Sequence, residues 1–308
     1  KENNLKYSAE EITVGTGGKQ VLYNAFMATL NRGDEVIIPA PFWVSYPDMV
    51  LLSGGKPKIV KCSEAENFKI TPNKLRKAIS KKTKWLILNS PSNPTGASYT
   101  KAEIIKLSKV LTKHKRIHVL SDDIYEHITY DKSKYFTIAQ VSNLKNRTLT
   151  MNGVSKSYSM TGWRIGYGIF PKSLVDPITK LVTNSNSCTA SFTQIAAIEA
   201  LKGSQESVKL MVEEFKSRRD LIVKGLNAIQ NIACPTPSGA FYVFPNITKT
   251  GISSKEFADR LLNENGVATV AGESFGKEGK GYIRLSFANS KQNISEALNR
   301  IELFTIKL

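Results

Sequence analysis

The chain has 308 residues, 41% of them hydrophobic, with 43 lysines and arginines against 26 acidic residues and a formal net charge of +17. That length is too great for one small core and predicts two domains, while the lack of any run of about 18 apolar residues excludes a membrane-spanning helix. Cys62, Cys188 and Cys234 lie far apart, form no CxxC and leave an odd count, which points to reduced thiols in a cytoplasm and away from a disulfide framework.

The opening stretch, KENNLKYSAEE, has neither a leader pattern nor a methionine, as expected of a chain that begins inside a longer protein. The basic charge admits two readings. It could neutralise phosphates in a nucleic-acid binder, or it could be a solvated surface that helps steer anionic substrates. The lysines are spread over most of the chain with no block of five like charges, which favours the solvated surface over a nucleic-acid partner.

In chain order, EITVG (11–15), EVIIP (35–39), KIVKC (58–62), KWLILNS (84–90) and IHVLSDD (117–123) read as strands. Helical stretches fall between several of them, at 19–30, 72–80 and 101–114, and Thr100 with Glu103 three residues on reads as a capping box. This alternation predicts an α/β domain with a mostly parallel sheet flanked by helices. Ligands of such sheets bind at the carboxyl ends of the strands. GTGGKQ, NSPSNPTG and SDDIY each follow a strand directly and so share one rim. Residues 205–230 then read as one long charged amphipathic helix. SGAFYVFP (238–245), a helix near 253–265, GVATVAG (266–272), GYIRLSF (281–287) and a final helix follow. They predict a smaller α+β domain, dividing the chain into a large unit over 1–215 and a small one over 216–308.

Each rim segment has an ordinary explanation beside a chemical one. GTGGKQ opens a helix whose N–H groups and dipole favour an anion, but it could be a plain turn. It is no ATP-type P-loop, since Gln20 stands where Ser or Thr is needed. NSPSNPTG presents Asn93, though turn chemistry alone accounts for its composition. Asp122 and Tyr125 sit at i and i+3 past an apolar strand, where the acid could merely cap a helix. Trp43 in PFWVSYP could be core. Lys156, in NGVSKSYSMTGWRIGY, stands among Gly153, Val154, Met160, Gly162 and Trp163, where no solvated lysine face would be built.

One electronic problem joins them. A pyridine aldehyde held as a Schiff base needs an amine, a carboxylate for the ring nitrogen, donors to the phenolic oxygen, an aromatic lid and a phosphate cup. Lys156, Asp122, Tyr125 with Asn93, Trp43, and Gly17–Gly18 with Arg164 supply all five. No cluster of metal-ligand spacing competes, and no metal is expected.

With those residues in view, the chain resembles a class I pyridoxal-phosphate aminotransferase, most closely the bacterial aspartate (aspartate/prephenate) branch. The resemblance is carried by GTGGKQVLYNAF, PFWVSYPDM, NSPSNPTGA, SDDIYEH, SKSYSMTGWRIGY, PSGAFYVF and YIRLSFANS, in the family's order. It implies the fold-type I architecture and a homodimer. It implies Lys156 as the Schiff-base lysine and Asp122 as partner of the pyridine nitrogen of pyridoxal 5'-phosphate. Tyr125 and Asn93 would bond the phenolic oxygen, Trp43 would stack on the ring, and Gly17, Gly18, Ser155 and Arg164 would surround the phosphate. Arg284 would fork onto the substrate α-carboxylate, which a guanidinium suits. Lys19 would serve either the phosphate or the second carboxylate of aspartate or glutamate.

Two departures stand out. Gly153 occupies a position where many relatives carry a phosphate-binding serine, and the family's N-terminal arm is missing from the pattern. The implied reaction passes an amino group between aspartate or glutamate and 2-oxo acids by a ping-pong cycle. A prephenate, aromatic or broad-range aminotransferase on the same scaffold is the alternative, and a basic nucleic-acid-associated protein with a relic fold is the alternative from another class.

Overall fold

The computed structural model describes residues 2–131 and 134–308. The chain runs β1 (Ile12–Gly15), α1 (Gly18–Thr29), β2 (Glu35–Ala40), α2 (Ser45–Leu52), β3 (Lys56–Lys61), α3 (Pro72–Ala78), β4 (Thr83–Asn89), α4 (Lys101–Leu111), β5 (His118–Asp122), α5 (Ser142–Lys145), β6 (Thr148–Gly153) and β7 (Gly166–Ile169). There follow α6 (Lys172–Asn186), α7 (Ser191–Lys202), α8 (Glu206–Ala228), β8 (Tyr242–Val243), α9 (Ser254–Asn265), β9 (Val270–Ala271), β10 (Ile283–Ser286) and α10 (Lys291–Ile306).

The first seven strands form one sheet in the order β1-β7-β6-β5-β4-β2-β3. Only β7 runs against the rest, pairing antiparallel with both β1 and β6. The central strands are apolar on both faces, as a sheet covered on both sides requires. Val36, Ile38, Trp85 and Ile87 pack with α1, α2 and α6, while Ile37, Leu86 and Leu88 pack with α3 and α4 on the other side. The capping box at α4 is present: Glu103 N donates to Thr100 Oγ1 at 3.3 Å and Thr100 N to Glu103 Oε2 at 2.7 Å.

Two strands of this sheet escape a reading of periodicity. β6 is TLTMNG, polar in composition yet buried at every position, and β7 is GYGI, half glycine. The glycines are steric. A Cβ at Gly166 would lie 2.4 Å from Gly18 N, so β7 lets the start of α1 come down onto it.

The second sheet is antiparallel, β8-β10-β9, and its strands are shorter than the apolar runs predict. Ala240 adopts φ 55, a left-handed conformation that breaks extended chain just before Tyr242. The apolar residues of that run are buried nonetheless, in a core shared with α8, α9 and α10. Arg219 of α8, only 3% exposed, donates to Asp131, to Asp220 and to the Pro237 carbonyl, fastening the long helix to two loops.

Candidate active site

The carboxyl ends of β1, β4, β5 and β6 meet the smaller sheet around a cleft of about 320 Å³. Gly18, Lys19, Trp43, Asn93, Asp122, Tyr125, Ser155, Lys156, Arg164 and Arg284 all line it. Gly17, the remaining residue singled out from sequence, lies directly beneath Arg164, whose Nη2 would sit 2.4 Å from a Cβ there. Eleven residues drawn from positions 17 to 284 therefore come to one place.

The floor is β5. Asp122 ends the strand, 4% exposed, and the chain turns directly after it, so it caps no helix. Tyr46 Oη donates to its Oδ2 at 2.5 Å, and Asn89 Nδ2 donates to its backbone carbonyl at 3.1 Å. Burial pushes the Asp122 carboxyl up to about 7. The hydrogen bonds from Tyr46 and the Ile124 amide work against that rise, neighbouring Asp123 adds to it and Lys156 opposes it.

Lys156 stands in the loop between β6 and β7. Its Nζ lies 5.7 Å from the centre of the Phe241 ring and has no carboxylate ion pair among the described residues. Burial lowers its pKa, and the guanidinium groups of Arg164 and Arg284 lower it further against the pull of Asp122. A lysine so placed gives up its proton more readily than a surface lysine, the condition for use as a base or nucleophile.

The side of the cleft at the start of α1 is built largely from backbone. α1 begins at Gly17, which adopts φ 84 and offers no side-chain cap, leaving the first amides of the helix open to an anion. Arg164 itself takes φ 52 and is held by an Nη1 bond to the Thr161 carbonyl at 2.8 Å. Gly153 is explained by packing. A Cβ there would meet Gly166 Cα and the Ile165 carbonyl at a tight 3.1 Å, and Ser155 is the hydroxyl that lines the cleft.

Across the cleft, Arg284 of β10 is half-buried between the rings of Tyr242 and Phe275, at 4.7 and 4.8 Å, so it is no surface arginine. Its Nη1 donates to Asn93 Oδ1 at 3.0 Å, and Asn93 N donates to Asn89 Oδ1 at 2.8 Å. Asn93 thus keeps its amide N–H groups for the cleft. Tyr125 shares a 3.1 Å hydrogen bond with Tyr242. Trp43 is partly exposed, its ring edge-on to Tyr46 at 5.3 Å and beneath the Lys19 ammonium at 5.1 Å.

Sequence reasoning leaves out several residues of the lining, among them the hydrogen-bonding side chains of Tyr46, Asn89 and Tyr242. Each lies inside a segment that was singled out. Tyr46 stands one helical turn past Trp43 and Asn89 is the last residue of its strand, so the signal was position rather than residue type.

This donor set fits a phosphorylated pyridine aldehyde. The glycine cradle closes against Arg164, Asn93 has spare donors, and a lysine of lowered proton affinity shares the cleft with a buried acid.

Comparison with known proteins agrees. The family model described as aminotransferase class I and II matches residues 1–301. A probable aspartate/prephenate aminotransferase of Rickettsia felis is 50% identical over 98% of this chain and 76% of its own length. The crystal structure of the aspartate aminotransferase from Rhizobium meliloti superposes with a TM-score of 0.97 at 44% identity, over all of this chain and 79% of that one. An aromatic aminotransferase from Pyrococcus horikoshii superposes with a TM-score of 0.97 at 38% identity, covering all of this chain and 83% of the other. The chain belongs to the class I and II aminotransferases.

Proposed function

We propose that this aminotransferase holds pyridoxal 5'-phosphate in the cleft and moves amino groups between aspartate or glutamate and 2-oxo acids. The observation that carries the reading is the convergence of Lys156, Asp122 and Arg284 on one cleft. When bound, the cofactor supplies an aldehyde that captures the substrate nitrogen and a ring that accepts electrons from the substrate Cα.

The chain's own residues do the rest. Asp122 holds the proton on the ring nitrogen, and a cation there draws the carboxyl back below its raised value. Lys156 Nζ would take the proton from the substrate Cα and return it to the cofactor carbon on the far side of the substrate nitrogen, a role favoured by an amine whose proton affinity burial and two guanidinium groups lower. Tyr125 and Asn93 donate to the phenolic oxygen and Trp43 covers the ring. The open amides at Gly17–Gly18, the Ser155 hydroxyl and Arg164 bind the phosphate. Arg284 forks onto the carboxylate common to all substrates.

Lys19 is the residue that would distinguish dicarboxylic substrates. Its ammonium lies over the Trp43 ring, 5.1 Å from the ring centre. A side chain held only by a cation–π contact can also swing aside, which favours a second reading with prephenate or aromatic partners. The names of the Rickettsia and Pyrococcus relatives support that reading. Absorption spectra before and after aspartate, followed by rates with aspartate, phenylalanine and prephenate, test both.

The division at residue 215 belongs to the same proposal, although α8 crosses it without a break. So do a cytoplasmic location and a homodimer. Phe192 and Ile195 on α7 are 71% and 67% exposed, an apolar face suited to a second copy. Among the described residues no helix is long and apolar enough to cross a membrane.

A further inference from the structure

The spread of lysines along the sequence hides an uneven spread of carboxylates. Residues 56–116 contain sixteen of the 43 lysines and arginines but only three of the 26 acidic residues, and so carry +13 of the chain's +17. This stretch folds as β3, at the edge of the large sheet, then α3, β4 and α4. Both helices pack on the same apolar layer, so their outer faces form one surface.

Four of its cations are paired within the chain: Lys58 with Glu35, Lys69 with Glu103, Lys74 with Glu66 and Lys84 with Asp34. The other twelve are all exposed, and none has a carboxylate partner among the described residues. Lys106, Lys109 and Lys113 succeed one another at single-turn spacing along α4 and the turn that ends it. Arg116 Nη2 donates to the Ser80 carbonyl at 3.2 Å, which joins the turn before β5 to the turn before β4.

Those turns lie at the amino ends of β4 and β5, whereas Asn89 and Asp122 of the cleft end the same two strands. The cations at those turns and at the end of α4 therefore lie at the edge of the sheet opposite the cleft, whereas Lys61 and Lys101 stand at the carboxyl edge, outside the cleft lining. Cations at helix C-termini also complement the helix dipole, but that explains the last turn of each helix and not the lysines of β3 or the β4 turn.

What the face lacks narrows its partner. No large apolar side chain between residues 56 and 116 is exposed; the exposed ones nearest in sequence are Leu52 and Trp163. It offers no ring to stack on unpaired bases and no apolar wedge to enter a bilayer. It offers ten ammonium and two guanidinium groups, the lysines of α4 in a row, which suits a regular double-stranded phosphate backbone.

We propose that this face binds double-stranded nucleic acid through its phosphates, without sequence preference and on the side of the enzyme away from the catalytic cleft. Contact with about five phosphates gives a slope of log K against log salt near −4.5, so affinity falls roughly 500-fold between about 50 and 200 mM salt.

The test titrates the cofactor-loaded full chain against a labelled duplex of about 24 base pairs by fluorescence anisotropy across that salt range. Phosphatidylserine vesicles are run in parallel by cosedimentation. Lys106→Gln/Lys109→Gln/Lys113→Gln is compared with Lys224→Gln/Lys249→Gln/Lys307→Gln, three exposed lysines elsewhere, after thermal melts show both triples folded. The expected result is duplex binding that the first triple weakens at least about tenfold, with a slope shallower by about 3. The second triple changes affinity less than about threefold, and amino transfer is unaltered in both. Equal losses in the two triples, no duplex binding at the lowest salt, or binding to vesicles and not to duplex would each overturn the proposal. The binding measurement does not depend on which substrate the cleft accepts.

Discussion

Arg284 Nη1 donates to Asn93 Oδ1 at 3.0 Å, a bond that ties a strand of the smaller sheet to the loop after β4 of the larger one. It orients the guanidinium before any carboxylate arrives and fixes which end of the Asn93 amide faces the cleft. Arg284→Lys loses both the fork and this bond. Charge-assisted hydrogen bonds are worth about 1.5–3 kcal/mol, so kcat/KM should fall about ten- to a hundred-fold for every amino and oxo acid alike. A loss confined to dicarboxylic substrates in steady-state assays would contradict the assignment.

Lys156→Ala should abolish the absorption band of lysine-bound cofactor and lower turnover by more than a hundredfold. Cofactor affinity, measured by equilibrium dialysis, should fall less, because the phosphate cup remains. Full activity in this variant would remove the lysine from the chemistry.

Asp122 makes a prediction about stability as well as rate. Asp122 and Asp123 are both raised by burial to about 7 from an ordinary 3.8. Between about pH 4 and pH 7 the folded chain then binds more protons than the unfolded one, so stability falls as pH rises through that window. Thermal melts of cofactor-free protein should show the fall. Asp122→Asn should make it shallower, and bound cofactor should do the same to the native protein by placing a cation against the carboxylate. Identical slopes in all three would mean that Asp122 does not titrate there. In kinetics, Asp122→Asn should slow proton abstraction far more than Tyr125→Phe.

Lys19→Met separates substrate recognition from phosphate binding. If the ammonium over Trp43 meets the second carboxylate, kcat/KM for aspartate falls about ten- to a hundred-fold and that for phenylalanine barely moves. Parallel losses with weaker cofactor binding, measured in the same mutant at saturating cofactor, would assign the lysine to the phosphate.

Much of this site was legible in the sequence because its chemistry is concentrated at strand ends. Asp122, Asn93 and the Gly17–Gly18 turn each come directly after an apolar run, and runs such as KWLILNS announce buried strands. β6 and β7 were not legible, since their burial comes from neighbours that lie far away in sequence. Thr150 and Asn152 look polar until the sheet closes over them, and the glycines of β7 reveal their purpose only when α1 is seen resting on Gly166. Tyr46 was hidden for a similar reason. Nothing in PFWVSYP distinguishes a tyrosine that bonds Asp122 from one that fills the core, and Tyr46 does both. The basic face escaped because a lysine count records charges and not the distance to the nearest acid.

Gly153 and Gly166 are register partners at the last rung of the β6–β7 ladder. The twelve residues between them leave the sheet and return to the same point, so they behave as a tethered ring rather than as two strand ends. Closing a ring of that size costs about 2 kcal/mol of chain entropy, and the pairing of β6 with β7 is what closes it. The ring carries Lys156 near one end and Arg164 near the other. A shift of that rung would therefore reach the Lys156 amine and the Arg164 guanidinium together, the two groups proposed to meet the aldehyde and the phosphate. Two side chains far apart in the loop thus share one anchor, and that anchor is a pair of glycines with no side chain of their own in the cleft.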